Sequence, residues 1–214
     1  MNKKILFLVI AIAIVAVAGV GIYAFTGRSE NDNMQIGNSQ TEESKEEGED
    51  NNTSTEKQNI LIVYFSQTGN TEAVANFIHE EVGGDLVKLE TVEEYPSDYD
   101  TLVDYAQEEQ REEARPELKT VIDDMDQYNV IFLGYPNWWG DMPMPIYTFL
   151  ETYDFSGKTI APFITHGGSG LSGTPAKIQA EAKGATVTEG LAVYGSEASH
   201  SKDEVLEWLD RIGF

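Results

Sequence analysis

Three short runs, Ile60–Phe65 (ILIVYF), Val130–Tyr135 (VIFLGY) and Thr159–Thr165 (TIAPFIT), are almost continuously apolar and rich in β-branched and aromatic residues. Runs of that length and composition, without polar alternation, are strands covered on both faces. Segments with helical spacing separate them. Thr71–Val82 places apolar residues at 74, 75, 78 and 82, one helical face, and Gly83-Gly84 stops it. Thr101–Glu113, Ile146–Tyr153, Thr174–Ala182 and Ser201–Ile212 read as further helices, Leu86–Leu89 as a weaker strand and Thr186–Val193 as the last one. Pro162 complicates the ladder of its strand. Strictly alternating strands and helices predict an α/β domain, a parallel sheet with helices on both faces. In such open sheets ligands sit outside the carboxyl ends of the strands, so the loops after the strongest strands decide function.

The domain so defined, 60–214, is preceded by two segments of other character. Ile5–Phe25 has no charge over 21 positions, enough at about 1.5 Å per residue to span a hydrocarbon core of roughly 30 Å. Lys3 and Lys4 precede it, which places the N-terminus inside the cell and the domain outside. Residues 1–27 are therefore read as a single-pass transmembrane anchor. A cleaved signal peptide is the alternative, since Ala16-x-Ala18 fits a cleavage site, and the domain would then be secreted. Residues 28–59 carry nine acids against three bases and only Met34 and Ile36 as sizeable apolar side chains, and read as a disordered acidic linker.

The chain has no cysteine and a net charge of −23, of which the domain contributes −19. Disulfide scaffolds, Cys-ligated metal sites and thiol nucleophiles are excluded. So is a nucleic-acid partner, which needs a basic footprint. The histidines, His79, His166 and His200, are scattered, and no metal site is expected; His79 reads as a solvated helix residue.

Directly after the first strand comes Ser66-Gln67-Thr68-Gly69-Asn70-Thr71, and then a helix begins. Hydroxyls, a glycine and free backbone N–H groups at a helix N-terminus form an anion site. Without Lys it is not a Walker A loop. A capped polar turn is the plain structural alternative. S-Q-T-G-N-T in this position resembles the flavodoxin signature (Ser/Thr)-x-Thr-Gly-x-Thr. The resemblance implies a flavodoxin-like doubly wound fold, a five-stranded parallel sheet of order 2-1-3-4-5, and FMN as cofactor. It also implies phosphate binding by the side chains of Ser66, Thr68, Asn70 and Thr71 and by the amides of Gln67 and Gly69.

The second loop, Pro136-Asn137-Trp138-Trp139-Gly140-Asp141, offers two indoles that are hard to bury as ordinary core. It is similar to the P-x-W-W-G loop of a bacterial branch of flavodoxin-like proteins. That likeness implies a flavin ring lying on a Trp, and makes Gly140-Asp141 the candidate peptide that flips toward the flavin on reduction. The third loop, Thr165-His166-Gly167-Gly168-Ser169-Gly170-Leu171-Ser172-Gly173, contains G-x-G-x-x-G, but after the wrong strand for a dinucleotide fingerprint. It also lacks the G-x-S-x-G frame of a hydrolase nucleophile. By resemblance, Thr165, His166, Gly167, Gly168 and Gly170 offer polar groups to the flavin edge. Many flavodoxins place a Tyr here, and this loop has no aromatic residue, which leaves one flavin face open.

These features predict an FMN-binding electron carrier held on the outer face of the cytoplasmic membrane. The alternative is an NAD(P)H-dependent FMN oxidoreductase of the quinone or flavin reductase type. The negative field of the domain lowers the potential of an anionic reduced flavin and steers a transient redox partner with a basic docking face.

Overall fold

The computed structural model describes residues 58–214. The apolar segment 5–25 and nearly all of the acidic stretch 28–59 lie outside them. Asn59 already belongs to the fold: its N–H donates to Asn129 Oδ1 at 3.0 Å and its Nδ2 to the Gln127 carbonyl at 2.9 Å. Among the described residues no helix is long and apolar enough to cross a membrane.

The domain has six strands and five helices, which alternate as the apolar pattern predicts except at the last two strands, where no helix intervenes. The strands are β1 (Ile60–Tyr64), β2 (Asp85–Lys88), β3 (Val130–Pro136), β4 (Thr159–His166), β5 (Thr186–Val187) and β6 (Leu191–Tyr194). The helices are α1 (Asn70–Val82), α2 (Tyr99–Arg111), α3 (Met144–Thr152), α4 (Thr174–Glu181) and α5 (Lys202–Ile212). All strand pairings are parallel, in the order β2-β1-β3-β4-β5, with β6 also on β4. This is an α/β doubly wound sheet.

Both faces of the sheet are covered, which is why its central strands are apolar without alternation. Leu61, Val63, Ile131, Leu133, Ile160 and Ile164 face one core with Leu102 of α2, Phe149 of α3 and Ile178 of α4. Ile62, Tyr64, Phe132 and Phe163 face the other with Val74 and Ile78 of α1 and Trp208 of α5. The helical face at 74, 75 and 78 is the buried one.

The fifth strand position departs from the expected continuous strand. β5 pairs with β4 at Thr159 and Ile160, β6 pairs with it from Phe163 onward, and the chain breaks between them. Thr186 and Thr188 donate to the carbonyls of Lys158 and Ile160, so every second residue of β4 turns its backbone to this edge. The next in that series is Pro162, which has no N–H to donate. The break falls opposite it. A Cβ on Gly190 would come 3.3 Å from Pro162 Cγ, so only glycine passes there without displacing a neighbour.

A buried carboxyl lies beneath α2. Glu109 is enclosed and accepts a hydrogen bond of 2.6 Å from the Tyr95 hydroxyl. Burial, and then the charge of Glu93, hold its carboxyl above the usual carboxylate range, against the opposing pull of the Tyr95 bond. A carboxyl whose pKa is raised in the fold favours folding while protonated, and that contribution is lost as pH rises through the folded value. Glu109→Gln keeps an acceptor for Tyr95 and removes the buried charge. It is expected to raise the melting temperature at about pH 7, with the gain vanishing below about pH 4. A gain that persists unchanged in acid would show that charge is not its cause.

Candidate functional site

The carboxyl ends of β1, β3, β4 and β6 surround a cavity of about 430 Å³. β1 delivers the loop 66–69. Gly69 takes φ +84°, a left-handed conformation that suits glycine, and turns the chain directly into α1. No side chain caps that helix. No hydrogen bond of the described residues engages the backbone N–H groups of residues 67 to 71, and that of Glu72 reaches only Ser66 Oγ at 3.4 Å. These amides and the positive end of the helix converge on one end of the cavity. Thr71, fully buried, shares a 2.8 Å hydrogen bond with the Thr165 hydroxyl at the end of β4.

Ser66, Gln67, Thr68, Asn70, Thr71, Pro136, Asn137, Trp138, Thr165, His166 and Gly167 line this cavity together. Gly69 shapes the loop beneath them. Trp139, Gly140, Asp141, Gly168 and Gly170 do not line it. Trp138 and Asp141 exchange two backbone hydrogen bonds of 2.9 Å, and Trp139 and Gly140 between them have φ of 53° and 80°. Positive φ at both central residues is the pattern of a type I′ turn. The turn carries Trp139 outward, where its Nε1 donates to the Val103 carbonyl of α2 at 3.1 Å. Asp141 is occupied in holding the turn: it accepts from the Met142 N–H at 2.8 Å and from Tyr147 at 3.0 Å, and pairs with Lys177 at 2.5 Å. The Gly140-Asp141 peptide, the candidate for a flip, has its Asp141 N–H engaged with the Trp138 carbonyl.

Trp138 is packed edge-on against Phe65 and Tyr95, at 5.4 and 5.5 Å between ring centres, and presents the rest of its surface to the cavity. Asn137 ties the second and third loops together. Its Nδ2 donates to the Gly170 carbonyl and to Ser172 Oγ, both at 2.9 Å. A carbonyl only accepts, so the amide nitrogen must face Gly170 and the oxygen is fixed on the other side. That Asn137 Oδ1 is buried and has no partner. The third loop is held from below as well: Tyr135 donates to Thr174 Oγ1 at 2.9 Å, and Thr174 to the Leu171 carbonyl at 2.7 Å. Burial drives the Tyr135 hydroxyl well above the usual phenol range.

Five further lining residues escape local sequence reading: Tyr99 and Leu102 from α2, and Tyr194, Gly195 and Ser196 after β6. Tyr194 stands beside His166 in the sheet register, with ring centres 4.4 Å apart. An aromatic residue absent from loop 165–173 is thus supplied by the neighbouring strand. The signal was available, since Tyr194 ends a strand and ligands gather at strand ends. No local pattern marks Tyr99. His79 is not simply solvated: its Nδ1 is enclosed without a partner. No Asp, Glu, Lys or Arg lines the cavity. In a domain of net charge −19, an uncharged wall around free N–H groups suits an anion held by dipoles rather than by counter-charge.

The sequence profile of the family described as Flavodoxin matches residues 59–212, the whole α/β domain. The chain belongs to the flavodoxin family. A candidate flavoprotein of Bacteroides eggerthii, known from a crystal structure, is 31% identical, superposes with a TM-score of 0.65, and is matched over 98% of its length by 73% of this chain. A flavoprotein of Lactobacillus acidophilus, crystallised in complex with FMN, is 26% identical with a TM-score of 0.55, over 97% of its chain and 67% of this one. The flavodoxin of Synechocystis is 31% identical over 108 residues, 49% of either protein. The chain spans about half the length of the curated flavodoxins it matches. Flavodoxin membership accounts for the first loop, where the signature stands at the first strand–helix junction.

Proposed function

We propose that this protein binds FMN above the carboxyl ends of β1, β3 and β4 and carries electrons at the outer face of the cytoplasmic membrane, tethered through residues 1–27. The observation that carries the reading is the row of unengaged N–H groups at residues 67 to 71, opening on an uncharged cavity. These amides, with the hydroxyls of Ser66, Thr68 and Thr71 and the Asn70 side chain, would hold the phosphate. Trp138 would lie against the ring. Asn137 Oδ1, orphaned in the wall, is an acceptor for which FMN carries donors: a ring N–H and the ribityl hydroxyls. FMN, when bound, supplies a ring that accepts and releases electrons. Binding of FMN by the Lactobacillus acidophilus relative supports the same choice of cofactor.

The domain around this site carries 28 acids and only nine bases. Its long-range field attracts a basic redox partner and speeds a transient encounter. The competing reading, an NAD(P)H-dependent oxidoreductase, finds no Lys or Arg in the cavity wall for the phosphates of a nicotinamide dinucleotide. The tether rests on the uncharged run at 5–25 and the lysines before it.

Protein solubilised from the membrane fraction of expressing cells is expected to be yellow, with FMN in stoichiometric amount. Apoprotein prepared from it should recover the colour on titration. A colourless chain that takes up no FMN refutes the reading. Steady NAD(P)H turnover without a partner favours the oxidoreductase.

A further inference from the structure

His166 lines the cavity outside the signature loop 66–71, and its surroundings determine its chemistry. It is the last residue of β4, 8% exposed, and it lines the cavity. The Gly168 N–H donates to its Nδ1 at 2.9 Å. An imidazole nitrogen that accepts a hydrogen bond carries no proton, so the proton of the neutral ring sits on Nε2. Nε2 has no hydrogen-bond partner among the described residues, and it is not among the enclosed atoms. The ring lies against Tyr194, its register neighbour, at 4.4 Å between centres and 53° between planes. Placing a second proton on the ring would set Nδ1–H against the Gly168 N–H. The phenols of the wall are Tyr194, in contact with the ring, and Tyr99 of α2, and no Asp, Glu, Lys or Arg lines the cavity.

We infer that His166 is a neutral, direction-fixed hydrogen-bond donor to the cofactor: Gly168 and Tyr194 hold its ring so that Nε2–H meets an acceptor oxygen or nitrogen of bound FMN. The inference rests on the FMN reading. A neutral donor suits a wall that is otherwise free of charge. It fixes orientation without adding a positive charge that would attract other anions.

Two readouts test it on the full-length protein. Nitrogen NMR of the histidine rings should find His166 as the Nε2–H tautomer in the apoprotein. FMN titration should then shift and protect that Nε2–H while leaving His79 and His200 unmoved. In parallel, His166→Phe should weaken FMN binding about tenfold, the worth of one donor. His166→Gln, which keeps an N–H donor, should stay within about threefold of the native affinity. Unfolding curves of both variants report any purely structural loss. Repeating the comparison with riboflavin locates the acceptor. A His166→Phe effect that survives without the phosphate places it on the ring or ribityl chain, and one that disappears places it on the phosphate. An Nδ1–H tautomer in the loaded protein, or native affinity in His166→Phe, overturns the inference while FMN binding stands. Absence of FMN binding in the native protein overturns the reading beneath it as well, and the tautomer measurement separates the two.

Discussion

Gly134→Ala is expected to destabilise the domain by about 3 kcal/mol and to lower its melting temperature by roughly 6–12 °C. Gly134 stands in β3 between Tyr64 of β1 and Phe163 of β4. A Cβ at this position would fall 2.1 Å from Phe163 Cζ and 2.2 Å from Cε2. Neither partner can yield. The Phe163 ring is fully buried in the core shared with α1 and α5, and the backbone of β3 is held by ladders on both sides. Interiors packed to crystal-like density take up such an overlap only by shifting whole elements. The glycine is therefore demanded by the ring that covers it. Phe163→Ala alone should cost roughly 3–5 kcal/mol through the cavity it leaves. The double variant should cost clearly less than the sum, because the overlap disappears with the ring. Urea unfolding of the four proteins measures the coupling, and simple additivity would refute the steric account. The same strand ends at Pro136, so a displaced β3 should also misplace Trp138 and lower FMN affinity.

The second large effect is on binding. Ser66→Ala combined with Thr71→Ala is expected to weaken FMN binding about 100-fold, two charge-assisted hydrogen bonds at about 1.5 kcal/mol each. Both residues are buried at the foot of the cavity. The Thr71 and Thr165 hydroxyls are 2.8 Å apart and hold two protons between them. One lies in their mutual bond, and the other is left for an outside acceptor such as a phosphate oxygen. With Ser66→Ala kept, Thr71→Ser in place of Thr71→Ala should recover about tenfold, one of the two bonds. Riboflavin, which lacks the phosphate, is the control: its weaker binding should change little. Equal losses for FMN and riboflavin would show that the hydroxyls support the fold and do not touch a phosphate.

The legible part of the site is the part that is contiguous. Six residues from Ser66 to Thr71 hold their relation to one another because a strand end, a glycine turn and a helix start are local structures. The Trp pair shows where contiguity misleads. Trp138 and Trp139 read as equivalent planes, yet Trp139 and Gly140 take left-handed backbone and the turn sends them to opposite tasks, Trp138 to the cavity and Trp139 to α2. Gly168 and Gly170 likewise act on the site through His166 and Asn137 and do not line it. Pro162 was visible as an irregularity in its own strand, but its consequence, the break between β5 and β6, appears in the neighbouring one.

From order along the chain alone follow the buried strands, the helices between them, the glycine turn into the first helix and the acidity of the whole, since each depends on side-chain periodicity or backbone chemistry within a few residues. The cavity's remaining wall follows from sheet order and register. Parallel pairing of β4 with β6 sets Tyr194 beside His166, and the packing of α2 brings Tyr99 and Leu102 across from them. These neighbours are far apart in sequence. Only long-range burial of the two cores, which has no local signature, brings them together.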